Sequence, residues 1–153
     1  MKHIWTILCK KSVTDNETNM ISLFDSFEQL NVDLKVKKED LDKPINIPIE
    51  HEIVSYWIKD TNDSISKFFI NIEILDPNSK IIGTFKQEVN FPENLKRIRT
   101  RIKSAGLPLT TSGNYFFKVE YKFENEEKYK KVIEIPLEVI INKNIIPQTQ
   151  GIS

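Results

Sequence analysis

The residues most able to do chemistry lie in one basic run, Asn94-Leu95-Lys96-Arg97-Ile98-Arg99-Thr100-Arg101-Ile102-Lys103. Read as a strand, it puts Arg97, Arg99, Arg101 and Lys103 on one face and Ile98 and Ile102 on the other. Successive charges would then stand about 6.6–7 Å apart, close to the spacing of phosphates along a single nucleic-acid strand. A helix over 93–105 has its own support in Pro92 at the start, Glu93 in the first turn and Gly106 at the end. The β-branched Ile98, Thr100 and Ile102 favour the strand. Lys96, Arg97, Arg99, Arg101 and Lys103 therefore form a candidate anion-binding site for RNA, DNA or an acidic protein. The competing reading is a charged edge strand, its repulsion relieved by acids such as Glu88 or Glu120, of the kind that keeps sheets from pairing edge to edge.

Other chemistry is thinly represented. His3, Cys9 and His51 lack the close ligand spacing of zinc sites, and Cys9 reads as a small buried hydrophobe. Ser112-Gly113 is not a nucleophile elbow, and four glycines leave no phosphate-cradling loop. Asp60, Asn62 and Asp63, with Asp76 and Asn78, would supply oxygens for calcium if their loops met; otherwise they are turn formers. Trp5, Tyr56 and Trp57 offer a stacking platform for a sugar, but they lie in apolar segments that read as core. No acid, base and nucleophile converge, so the expectation is a protein that is not an enzyme and carries no cofactor and no metal.

These residues are embedded in a chain of 153 residues with 22 Lys plus Arg against 22 Asp plus Glu. Zero net charge excludes a protein that binds polyanions with its whole body, while leaving room for a local patch. A single cysteine precludes an internal disulfide. The run Ile4 to Cys9 is shorter than the roughly 7–15 apolar residues of a secretory core and lacks a cleavage site. No window approaches the roughly 20 apolar residues of a spanning helix. A cytoplasmic location without membrane attachment is expected.

The elements that must position the basic run follow a period of two. Phe68, Ile70, Ile72 and Ile74 form one apolar face, followed by the turn Asp76-Pro77-Asn78-Ser79 and a partner carrying Phe85, Val89 and Phe91. Tyr115, Phe117, Val119, Tyr121 and Phe123 alternate likewise, as do Ile133, Ile135, Leu137, Val139 and Ile141. Pro136 in the last strand predicts an edge or a bulge. Toward the amino terminus, His3 to Lys10 is apolar on both faces and pairs with Met20 to Phe27. Asn31 to Lys43 reads as an irregular excursion with one helical turn at Lys37 to Leu41, and Ile45 to Lys59 resumes the strand pattern. Residues 1–142 are expected to form one domain and 143–153 a flexible tail. The fold class is all-β, a single immunoglobulin-like antiparallel β-sandwich of about 7–8 strands. Leu109 to Phe117, with Gly113 and Tyr115 opening a strand, resembles the tyrosine corner of such sandwiches. Phe69, Phe116 and Ile140 carry apolar side chains on outward parities, a candidate interaction patch.

Several pieces together resemble an uncharacterised bacterial β-sandwich family, DUF6941. They are Leu8-Cys9 with Ile21-Ser22-Leu23-Phe24-Asp25, then Ile74-Leu75-Asp76-Pro77-Asn78, then Gly106-Leu107-Pro108-Leu109 with Gly113-Asn114-Tyr115 and the final strand. Asn78-Ser79 departs from the Asp-Gly-like turn of relatives. The resemblance implies a bacterial sandwich and brings no catalytic residues. The function expected is a non-enzymatic cytoplasmic interaction module that docks another protein or a second copy of itself. The alternative is nucleic-acid or polyanion binding through the basic strand.

Overall fold

The computed structural model describes residues 1–147. Among them the chain is all-β, with β1 (Lys2–Thr14), β2 (Ile21–Ser26), β3 (Gln29–Val36), β4 (Ile45–Ile47), β5 (His51–Ile58), β6 (Lys67–Leu75), β7 (Ile81–Asn90), β8 (Arg97–Ser104), β9 (Leu107–Leu109), β10 (Gly113–Phe123) and β11 (Lys130–Ile145). One 3-10 turn at Lys38–Asp40 interrupts them, within the segment where a helical turn is expected. The strands form a four-stranded sheet ordered β2-β1-β5-β8, a five-stranded sheet ordered β3-β11-β10-β6-β7, and the small pair β4-β9.

The two large sheets share one core, because the inward parity of each strand is apolar. Leu8, Ile53 and Trp57 from the first sheet join Phe68, Ile70, Ile72, Phe117 and Leu137 from the second. Aromatic rings bridge the gap: Trp57 stands 5.3 Å from Phe68 and 5.6 Å from Tyr121, centroid to centroid. Ile47, Leu107 and Leu109 of the β4-β9 pair are buried in the same core. That pair continues beyond the His51–Ser104 register of β5 and β8, so it closes this end of the sandwich.

Tyr115 behaves as the local sequence predicts. Its hydroxyl accepts from the Thr110 and Thr111 amides at 3.1 and 3.2 Å and donates to the Thr111 carbonyl at 2.7 Å. Gly113, just before Tyr115, is needed for the chain to pass against Pro77: its φ is +143°, and a Cβ there would lie 2.7 Å from Pro77 Cγ. Tyr115→Phe keeps the ring packing and leaves those backbone groups unanswered. It is expected to cost about 1–3 kcal/mol in urea unfolding; a change below about 0.5 kcal/mol, typical of a surface substitution, would dismiss the corner as a stabilising device.

Several expectations need correction. Among the described residues eleven strands replace the 7–8 expected, partly because Pro48 divides Ile45 to Lys59 into β4 and β5 and because Leu107–Leu109 forms a strand of its own. Asn31 to Val36 is not irregular: it belongs to β3, which pairs with β11 from Gln29–Glu138 to Val36–Ile145. That pairing is parallel, so the sandwich is not wholly antiparallel. The same pairing carries β11 through Ile145, past the boundary expected at 142; of the expected tail, 148–153 lies outside the described residues. Pro136 does sit on a local edge, since β3 joins β11 only from Glu138 onward. In β1 a register shift between His3 and Trp5 turns Ile4 out to solvent.

Candidate interaction surface

The basic run is a strand, as its β-branched residues predict. All of β8, from Arg97 to Ser104, pairs with β5 without a register shift. Trp57 and Ile53 on β5 point into the core, and their β8 neighbours Ile98 and Ile102 pack against it. Arg97, Arg99, Arg101 and Lys103 therefore share the outward face. β8 ends the strand order of its sheet, so among the described residues its other side has no hydrogen-bonded neighbour. The facing sheet's edge strand, β7, approaches it without pairing.

What relieves the charges on this face is not Glu88 or Glu120. Those acids belong to the other sheet, where Glu88 pairs with Lys67 at 3.1 Å and Glu120 with Lys118 at 3.0 Å. The relief comes from the β1–β2 hairpin. Arg99 Nη2 donates to the Asn19 carbonyl at 2.7 Å, at the hairpin's tip. Arg101 Nη1 donates to the Ser12 carbonyl at 3.3 Å, on its shaft. Glu52 on β5 accepts from the Ser12 amide at 2.9 Å and from the Ser12 hydroxyl, and lies 3.7 Å from Lys103. Contacts at both tip and shaft mean that the hairpin folds back across the outward face of β5 and β8.

The bend is visible in the backbone. Cys9 pairs with Glu52 on one side and Ser26 on the other, the Lys10–Asp25 pair is missing from the ladder, and Asp25 has φ +52°. Covered in this way, Val54 and Cys9 are buried although both lie on the outward parity of their strands. Burial, and after it the charge of Glu52, push the Cys9 thiol above its ordinary pKa, which disfavours the thiolate. The hairpin's own turn is fixed by Asp15, whose carboxylate accepts the Glu17 and Thr18 amides at 2.8 and 3.2 Å. Asn19 then takes φ +56°, which an Asn tolerates.

The five candidate cations are thus divided. Arg99, Arg101 and Lys103 contact the hairpin or Glu52, whereas Lys96 and Arg97 are exposed and have no ion pair among the described residues. Arg97, Arg99 and Tyr56 line a groove of about 530 Å³ beside the hairpin tip. Sequence reasoning missed Ser12, Asn19 and Glu52. A signal for Glu52 was present: a carboxylate inside the apolar strand His51–Ile58 must find donors to be buried there.

The outward apolar residues of the second sheet are not brought together. Phe69 lies across from Lys122, whose ammonium stands 5.7 Å from the ring centroid. Phe116 lies between Leu75 and Pro136, six residues along β10 from Lys122. Lys118 separates them, bonded to Glu73 at 2.6 Å and to Glu120, and these two carboxylates raise its pKa. Ile140 is on β11 opposite Asn31 of β3. Val13, Met20 and Phe24 are exposed apolar side chains on the hairpin, Val13 and Phe24 on the same parity of its ladder.

The remaining candidates resolve into structure. Trp57 is core, while Trp5 and Tyr56 pair on the outward face at 5.6 Å. His51 is buried between Phe27 and Phe117, its Nδ1 3.0 Å from the Ile49 carbonyl. Asp60 and Asp63 bond the Met1 ammonium, and Asp76 accepts the Asn78 and Lys80 amides of its own turn. The two acidic loops also sit at opposite ends of β6, about 30 Å apart, too far for one cation. No group of three metal-binding side chains occurs among the described residues, and among them no helix is long and apolar enough to cross a membrane. Compared with protein-family models the chain matches none, and compared with curated proteins it finds no match.

Proposed function

We propose that this chain is a non-enzymatic interaction module, an immunoglobulin-like sandwich of the DUF6941 kind, that works in the bacterial cytoplasm by docking another protein. The observation that carries the reading is the edge of β8, eight residues paired on one side in unbroken register and, among the described residues, without a paired strand on the other. The hydrogen bonds of Tyr115 support the immunoglobulin-like assignment, and the exposed Val13, Met20 and Phe24 enlarge the available surface. Self-association through that hairpin face is the form the module takes if no second protein is involved.

Nucleic-acid binding by Lys96, Arg97, Arg99, Arg101 and Lys103 is the weaker reading. Arg99 and Arg101 donate to backbone carbonyls of a hairpin that crosses this face, so a phosphate chain laid across the face, unlike a strand added at the edge of β8, would have to displace that hairpin. The test is affinity capture from the native host with the wild-type chain and with Arg97→Glu, together with light scattering of the purified protein. A stoichiometric protein partner, or a dimer, is expected. A strict monomer that captures only nucleic acid in low salt would transfer the function to the second reading.

A further inference from the structure

The open edge of β8 also specifies what kind of segment fits it. Its outward side chains are cationic throughout, Arg97, Arg99, Arg101 and Lys103, while Ile98 and Ile102 on the inward parity are only half-buried. A strand added alongside would place its own alternating residues about 4.5–5.5 Å from these. Acidic side chains would meet Arg97, which has no partner among the described residues, and the donors that Arg101 and Lys103 still expose beside the hairpin and Glu52, while apolar ones would complete the cover of Ile98 and Ile102. We infer that β8 receives an extended segment of a partner protein in which Asp or Glu alternates with apolar residues, bound by strand addition.

Two features point to this occupant over others. Charged edges normally prevent pairing, but a row of one sign repels only basic strands and copies of itself. A second copy at this edge would set arginine against arginine, which excludes a symmetric β8–β8 dimer. The edge is moreover free of the usual blocks: no proline lies within Arg97–Ser104 and no bulge interrupts its pairing with β5. In contrast, the β6–β7 ladder of the facing sheet carries a register shift at Ile74–Leu75, and the outward face of β7 mixes Lys86 with Glu88.

This inference rests on the interaction-module reading and names its site and partner chemistry. It is tested with the full chain and three probes: an eight-residue peptide alternating Glu and Val, a peptide of the same composition with its four Glu in a block, and an oligouridylate. The alternating peptide should bind at least about tenfold more tightly than the block peptide, since only alternation satisfies both faces. Amides of β8 should gain protection from hydrogen exchange, and Arg97→Glu, which touches none of the hairpin contacts, should weaken binding about tenfold. Equal affinity for the two peptides, tighter binding of the oligouridylate, or no gain of protection in β8 would overturn it. If a host protein is captured but cross-links through the Val13–Phe24 face, the module survives and the β8 assignment fails.

Discussion

Trp57→Ala is expected to lower the unfolding free energy by about 3–5 kcal/mol, the range for removing a large buried aromatic. Trp57 has no exposed surface and is the side chain at which the two sheets meet. Its ring lies against Phe68 and Tyr121 of the facing sheet and 4.9 Å from His3 of its own. Its indole N–H donates to the Thr100 hydroxyl at 3.1 Å, a bond that also ties β5 to the middle of β8. Alanine leaves a cavity between sheets whose backbones cannot close on it, and it strands Thr100 in the interior. Trp57→Phe should retain most of the packing and lose chiefly the hydrogen bond, about 1 kcal/mol for that part. Urea midpoints of the two variants separate the contributions. A loss below about 2 kcal/mol for the alanine variant would mean that the core does not depend on this residue.

Glu52→Ala is the second large effect, and it acts on the surface that the proposed function uses. The carboxylate is buried, and it holds the hairpin through the Ser12 amide and hydroxyl. Alanine removes the acceptor and leaves a buried amide without a partner, at a cost of about 1–3 kcal/mol. The damage should be local: amides of Ile21–Ser26 should exchange faster, while those of β6 and β10 should not change. Glu52→Gln keeps an acceptor oxygen and should restore part of the protection. For contrast, Glu134 forms a half-exposed 3.3 Å pair with Lys131, and its alanine variant should change stability by no more than about 1 kcal/mol.

Much of this arrangement was legible in the sequence, for identifiable reasons. A strand buried on one face advertises itself by alternation, so Phe68 to Ile74 and Tyr115 to Phe123 were readable, and turn chemistry at Asp76 fixed the hairpin between β6 and β7. β3 was hidden because Asp33 and Lys35 alternate with Val32, Leu34 and Val36 in a segment dense with charge. Its parallel pairing with β11 is a long-range contact that no local signal encodes. The strand character and facing of the basic run could be read from Ile98, Thr100 and Ile102. Its division between hairpin and solvent could not, because it depends on the hairpin's bend at Lys10 and Asp25 bringing the Ser12 and Asn19 carbonyls over the sheet. Parity alone also united Phe69, Phe116 and Ile140, since it records which face a residue takes and not how far along the sheet it lies.

That division of the basic strand is open to a direct measurement, because the hairpin covers the single cysteine of the chain. The labelling rate of Cys9 by a disulfide reagent at pH 8 should be very slow in the native protein. In Arg99→Ala/Arg101→Ala, which releases the hairpin at tip and shaft, it should rise at least about tenfold, corresponding to about 1.4 kcal/mol of easier opening. In Arg97→Ala, whose side chain has no contact with the hairpin carbonyls, it should stay at the native rate. Equal rates in all three proteins, or the same acceleration in both variants, would contradict the claim that the central arginines hold the hairpin while Arg97 remains free at the open edge.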